Sequence, residues 1–174
     1  MPKSPDELFA FLEGLGIQTT TRTHDPLFTV EDSQKLRGEI AGAHTKNLFL
    51  KDKKDNYFLL TVEEEAVVDL KTVHQTIGAA SRVSFGRPEA LMELLGVIPG
   101  AVTVFGAIND TAGRVKIFID AALAAEPLIN AHPLVNTATT TISSADLIAF
   151  VKATGHEPHI LNVSSASPHG GPMR

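Results

Sequence analysis

Cysteine is absent from the 174 residues of this chain. Its absence excludes disulfides, a thiolate nucleophile and any cysteine metal site. No apolar run approaches the ~20 residues that a membrane-crossing helix needs. The opening Met1-Pro2-Lys3-Ser4-Pro5-Asp6-Glu7 lacks the charged-then-apolar order of a signal peptide, so a cytoplasmic protein is expected. A phosphate-cradling P-loop and a G-x-S-x-G elbow are both missing, and Gly14-Leu15-Gly16 lacks the rest of a dinucleotide fingerprint. His156-Glu157-Pro158-His159 has the wrong spacing for H-E-x-x-H, and Pro158 would break the helix that motif requires. No metal and no cofactor are expected. A basic excess is lacking too: the net charge is −5, where non-specific nucleic-acid binders carry a positive balance. Lys51, Lys53 and Lys54 nevertheless gather at one hairpin, and Arg82 and Arg87 flank a second segment. Distribution therefore matters more than the sum.

What is present suits one domain, long enough to bury roughly 70% of its unfolded surface. Ser4 and Glu7 are spaced as a capping box, with Pro5 at the first helical position and Leu8, Leu12 and Leu15 on one face. Ile17–Thr23 reads as a strand. A short helix is expected from about Thr29, with Glu31 and Asp32 in its first turn. Lys46–Lys51, a polar turn over Asp52–Asn56, and Tyr57–Val62 form the clearest hairpin. Asp69 is placed to cap a helix to about Thr76, stopping before Gly78. Ser81–Phe85 reads as a strand and Pro88 opens a helix through Leu95.

Val97-Ile98-Pro99-Gly100 has the residue order of a type II turn. Ala101–Phe105 and Arg114–Ile119 read as strands, paired as a hairpin. Leu128–Ala131 and Val135–Ile142 are further strands. Ser143 or Ser144 caps a last helix that Gly155 ends. Residues 164–174, rich in serine, glycine and proline, read as a mobile tail after a domain spanning 1–163. The mixture of hairpins and interspersed helices points to an α+β domain with a largely antiparallel or mixed sheet.

His44-Thr45-Lys46-Asn47-Leu48-Phe49-Leu50-Lys51-Asp52 is the most informative segment. Strand side chains alternate faces, so Lys46 shares one with Leu48 and Leu50, while Asn47 shares the other with Thr45 and Phe49. Both faces are apolar, so the strand is expected to be covered on both sides. A lysine there must reach water, an acid or an anionic ligand, since a buried unpaired ammonium is costly. A snorkelling lysine at the strand end satisfies the same pattern. His132 precedes Pro133, which biases it toward extended backbone at a strand or turn boundary; a structural histidine bonded to backbone is one reading and a pocket wall the other.

Four blocks in order resemble the YbaK/ProX family of aminoacyl-tRNA deacylases. They are His24-Asp25-Pro26 with Phe28-Thr29-Val30-Glu31, then His44 to Lys54, then Gly96 to Gly106, and finally His132-Pro133-Leu134-Val135-Asn136-Thr137. The match runs to about residue 160. The spacing Gly96-x-x-Pro99 resembles the ProX branch, the alanyl-tRNA(Pro) deacylases, and departs from the G-x-x-x-P of the bacterial YbaK branch.

The resemblance implies a single YbaK-like domain with a mixed, partly closed sheet surrounded by helices. It implies a trans-editing hydrolase that removes alanine from mischarged tRNA(Pro). A deacylase for another small group, such as seryl or cysteinyl, and a non-catalytic tRNA- or synthetase-binding module are the alternatives. The family's essential lysine maps onto Lys46 and its pocket histidine onto His132. Asn47, Gly96, Pro99, Gly100 and Asn136 are the further substrate-binding candidates. Family members are thought to use the substrate's own ribose hydroxyl and an ordered water, which suits a chain with no cysteine and no recognisable serine triad. The expected partners are the acceptor end of tRNA(Pro) and prolyl-tRNA synthetase, with no membrane association. The oligomeric state is left open.

Overall fold

The computed structural model describes residues 2–26, 35 and 38–165. The helix expected from Thr29 and the last nine residues of the expected tail lie outside them. Eight strands form one mixed sheet: β1 (Thr20–Thr23), β2 (Ala43–Lys51), β3 (Tyr57–Glu63), β4 (Ser84–Phe85), β5 (Val115–Asp120), β6 (Leu128–Ala131), β7 (Ala138–Ser143) and β8 (Pro158–Leu161). The sheet runs β1-β7-β6-β2-β3-β5-β8, with β4 attached separately to β2, and it does not close. β1–β7, β6–β7, β2–β3 and β2–β4 are antiparallel. β2–β6, β3–β5 and β5–β8 are parallel.

Helices with both ends among the described residues are α1 (Pro5–Gly14), α2 (Val73–Ile77), α3 (Pro88–Leu95), α4 (Ala121–Ala124) and α5 (Ser144–Ala153). In α1, Ser4 and Glu7 form the full reciprocal capping box, and Leu8 and Leu12 are buried. Complete burial of such side chains stabilises by about 1.5–3 kcal/mol each. Ser143 caps α5 by accepting the Asp146 N–H at 3.1 Å.

Two apolar clusters lie on opposite faces of β2, β3 and β5. One gathers Phe49, Leu59, Ile117 and Ile119 with Leu12, Leu95, Phe105 and Phe150. The other gathers Leu50, Phe58, Leu60, Val62 and Phe118 with Val73, Ile77 and Val163. The two-sided covering expected of β2 is therefore present.

Several elements differ from expectation. Ala101–Phe105 is not a strand. Its ends belong to two 3-10 segments, Pro99–Ala101 and Val104–Asn109, and Thr103 accepts the Phe105 N–H to start the second. An apolar run buried on all sides carries no alternation, so periodicity alone does not distinguish strand from packed coil. The hairpin expected between 101–105 and 114–119 is accordingly absent, and β5 instead inserts between β3 and β8. The turn at Pro99 is not type II. The Ala101 N–H donates to the Ile98 carbonyl at 2.9 Å, and Gly100 lacks the positive φ that a type II turn demands.

Asp69 organises a turn by accepting the Lys71 N–H at 2.9 Å, and the helix itself starts only at Val73. The strands expected over 17–23, 81–85 and 135–142 are shortened at their starts to 20–23, 84–85 and 138–143. Ser164 donates to the Asp120 carboxylate, and Ser165 pairs with Val67.

The histidines near the C-terminus diverge. His156 is buried, with Nε2 2.8 Å from the Asp110 carboxylate and Nδ1 2.9 Å from the Thr154 hydroxyl. His159 stacks on Phe118, with ring centroids 4.8 Å apart.

Candidate functional site

β2 organises the site through its pairing. Its partner β3 matches it residue for residue from Thr45↔Glu63 to Lys51↔Tyr57, without a bulge. Lys46 therefore lies on the face of Val62, Leu48 and Leu50, and Asn47 lies on the face of Thr61 and Phe49. On its other edge β2 is covered only at its ends, by β6 at Ala43–His44 and by β4 at Leu50–Lys51. The stretch between, carrying Lys46 and Asn47, pairs with no strand on that edge among the described residues.

Asn47 is held on both sides of its amide. The Thr61 hydroxyl donates to Oδ1 at 2.6 Å, and Nδ2 donates to the Val102 carbonyl at 3.3 Å. The second bond ties the loop after Pro99 to the strand. Between them lies a hollow of about 260 Å³ lined by Asn47, Phe49, Phe85, Gly86, Pro88, Leu91, Pro99 and Val102. It contains no charged side chain. At the far side of the same loop, the Asn136 amide nitrogen lies 3.3 Å from where a Cβ on Gly100 would stand. Glycine at 100 thus lets the 99–102 loop and the 132–137 loop touch.

His132 follows β6. The β2–β6 register ends at His44 and Asn130, and β6 itself ends at Ala131, so His132 opens the loop that follows. His132 is half-buried, with Nδ1 3.2 Å from the Ala138 carbonyl. A carbonyl only accepts, so Nδ1 carries the proton and the neutral ring keeps Nε2 as an acceptor. Burial lowers the His132 pKa, the Ala138 bond opposes this, and the nearby His24 lowers it further. His24 is fixed by the same logic: Nδ1 lies 2.8 Å from the Asp25 carbonyl and Nε2 lies 2.8 Å from the Thr139 hydroxyl.

Two residues after His132, Leu134 has φ 72°, a left-handed conformation costing a non-glycine residue about 1–2 kcal/mol. Burial of its side chain in the main core maintains it. The Leu134 N–H donates to the His132 carbonyl at 2.9 Å, which fixes the bend directly after His132.

Lys46 is half-buried and forms no ion pair among the described residues. It does not line the 260 Å³ hollow. Of the candidates, Asn47 and Pro99 share the hollow, Gly100 and Asn136 meet beside Pro99, Lys46 lies on the opposite face of β2, and His132 stands in the loop that carries Asn136. Gly96 stands apart: with φ +68° it ends α3, against Asn109. The sequence reading missed Thr61, Val102, Thr139 and Phe85. Thr61 was within reach, since the Asp52–Asn56 turn sets a register in which it faces Asn47. The other three depend on loop positions that no spacing announces.

A model of the aminoacyl-tRNA editing domain matches residues 24–150. The chain is 38% identical over 160 residues to the prolyl-tRNA synthetase associated domain-containing protein 1 of Mus musculus, covering 90% of this chain and 94% of that one. It is 35% identical over 150 residues to the prolyl-tRNA editing protein ProX of Acetoanaerobium sticklandii, covering 86% and 91%. Among solved structures, one described as a candidate trans-editing enzyme for prolyl-tRNA synthetase superposes with a TM-score of 0.71. The overlap covers 95% of this chain and 99% of that one at 18% identity, which speaks to the fold.

Proposed function

The chain belongs to the aminoacyl-tRNA editing domain family and is a hydrolytic aminoacyl-tRNA deacylase of the YbaK/ProX type, and from that premise we propose that its substrate is alanine esterified to tRNA(Pro). The observation that carries the reading is the placement of Lys46 and Asn47 on successive residues of β2, at the stretch neither β6 nor β4 covers. Lys46 projects from one face of that stretch, and Asn47, locked by its two hydrogen bonds, projects from the other into a small apolar hollow. The hollow is below the ~300–1,000 Å³ of pockets that enclose drug-sized ligands. That scale suits a small amino acid.

The chemistry asks little of the protein. An aminoacyl ester is reactive, and hydrolysis is accelerated by fixing the acyl group, admitting water and stabilising the oxyanion. Lys46, outside the hollow, supplies the charge that holds the terminal phosphate or ribose end and so positions the ester. The substrate's ribose hydroxyl and an ordered water complete the attack, so no protein nucleophile is needed. His132, with Nε2 as an acceptor, receives an N–H of the substrate's α-amino group. Asn47, Pro99, Gly100 and Asn136 shape the wall around the acyl group.

Size explains the biological need. A synthetase pocket built for proline does not sterically exclude alanine, and one missing methylene discriminates by only about 1–3 kcal/mol. A second site that admits alanine and rejects proline corrects the error. We assign the chain this role in the cytoplasm, acting on the acceptor end of tRNA(Pro) in association with prolyl-tRNA synthetase. With a net charge of −5, its grip on the tRNA body is weak and salt-sensitive.

A panel of tRNAs charged with different amino acids tests this directly. Alanyl-tRNA(Pro) should be hydrolysed and prolyl-tRNA(Pro) spared. Lys46→Ala should lower kcat/KM by about 100-fold or more while the far-ultraviolet circular dichroism spectrum is retained. His132→Ala should change the rate or the preference among acyl groups. Unchanged turnover in the Lys46 variant would refute its role, and preferential hydrolysis of seryl- or cysteinyl-tRNA would redirect the substrate assignment.

A further inference from the structure

Phe85 is 58% exposed, more than any other large apolar side chain among the described residues. Exposure of this kind forfeits the stabilisation that burial would bring. The ring is nonetheless mounted rigidly. Phe85 pairs with Leu50 on β2, and the next N–H, of Gly86, donates to the Phe49 carbonyl at 2.9 Å. A Cβ on Gly86 would stand 2.3 Å from the Phe49 ring, so only glycine lets the backbone lie flat there. Pro88 then begins α3. Phe85 is a fixed aromatic face at the rim of the hollow that contains Asn47 and Pro99.

Of the two cations near Phe85, Lys51, which pairs with Ser84, is neutralised by the Asp55 carboxylate at 2.9 Å. Arg87, two residues after Phe85, is exposed and makes no ion pair among the described residues. The hollow itself has no carboxylate in its lining. Lys46 lies four positions before Leu50 on β2, about 13 Å along the strand, which a short unpaired strand end spans. An aromatic face with an adjacent unpaired cation is the arrangement that holds single-stranded nucleic acid, because every base has a π-face to stack.

We propose that Phe85 is the stacking platform for an unpaired base at the 3′ end of the tRNA, with Arg87 contacting the neighbouring phosphate. The proposal rests on the reading that the chain acts on aminoacyl-tRNA. It makes Phe85 a positioning residue that sets where the ester falls relative to Lys46.

The chain has no tryptophan and one tyrosine, so Phe85→Trp introduces a single dominant emitter at the platform. Titration of that variant with an unacylated CCA trinucleotide should quench its fluorescence saturably. The same strand lacking its terminal base should quench less, and added salt should weaken binding. Leu161→Trp, on β8 at the far end of the sheet, should not respond. Phe85→Ala should raise KM for alanyl-tRNA(Pro) by roughly 5- to 150-fold, the equivalent of the known worth of one stacked base, with kcat little changed, and Phe85→Tyr should restore KM.

Absence of quenching at position 85, or an unaltered KM in an active Phe85→Ala enzyme, would overturn the platform while leaving the deacylase reading intact. If the wild type spares alanyl-tRNA(Pro) but Phe85→Trp still responds to CCA, the amino-acid assignment falls and the platform stands, since all tRNAs share that end.

Discussion

The Asn47–Thr61 bond permits a quantitative test. Thr61 is fully buried, and its hydroxyl donates to Asn47 at 2.6 Å. Asn47→Ala removes the acceptor and leaves that hydroxyl without a partner, at a cost of about 1–3 kcal/mol. It also removes the bond to the Val102 carbonyl, worth about 0.5–1.5 kcal/mol net. Thr61→Val removes the donor to Asn47 Oδ1, and since Asn47 is half-buried and lines the hollow, the loss should cost only about 1 kcal/mol. In the double variant the buried hydroxyl is gone and its penalty vanishes.

The two single effects should therefore exceed the double effect by about 1–2 kcal/mol, a coupling typical of residues in one network. Urea unfolding of the four proteins, followed by circular dichroism, measures this from their midpoints and slopes. Additivity within about 0.5 kcal/mol would refute the bond's structural role. Kinetics sharpen the result. If Asn47 also touches substrate, Asn47→Ala should lower kcat/KM well beyond Thr61→Val. Equal losses would mean that it acts only by holding the 99–102 loop.

Gly86→Ala forces a methyl into the Phe49 ring, which also stacks on Tyr57 at 5.4 Å. Overpacking should destabilise by about 1–3 kcal/mol in thermal or urea unfolding, and Phe49→Leu in the same background should recover part of it. Asp52 predicts an acid limb. Burial would raise its carboxyl, but hydrogen bonds from the Asn56 side chain and from the Ala80, Asn56 and Lys54 N–H groups hold it at about 2 instead of 3.8. A lowered carboxyl pKa contributes stability that is present above the unfolded value and lost as pH falls through the folded one. The wild type should lose about 2 kcal/mol between pH 4 and pH 2 from this group, and Asp52→Asn should be less stable at pH 7 and lack that part of the slope.

Features written in local chemistry were legible in the sequence. The capping box at Ser4 and Glu7, the Asp52–Asn56 turn, Pro88 opening α3 and the Ser143 cap all depend on residues close together in the chain. The opposed faces of Lys46 and Asn47 followed from strand parity, and the unbulged β2–β3 ladder preserves it. Partners far apart in sequence were not legible. β5 lies beside β3 because their buried faces match, and the two are separated by a long crossover that pattern reading does not resolve. Ala101–Phe105 failed for a related reason: burial from every side erases the alternation that marks a strand. Gly96 has glycine for a helix end, and a loop signature does not separate that demand from close approach to a ligand. Phe85 looked like one more apolar strand residue, since exposure is a property of the assembled sheet.

Asp52 has a reach beyond the hairpin it closes. Its carboxylate also accepts the Ala80 N–H at 2.9 Å, and the adjacent Lys53 N–H is bonded to the Ser81 hydroxyl at 2.9 Å. The segment leading to Phe85 is thus moored to the tip of the strand pair that bears Lys46. Lengthening that tip by insertion would move the mooring point and shift the aromatic rim relative to the cation, although neither side chain had been altered. A change of length at this remote corner would accordingly reposition Phe85 relative to Lys46 without rewriting either residue.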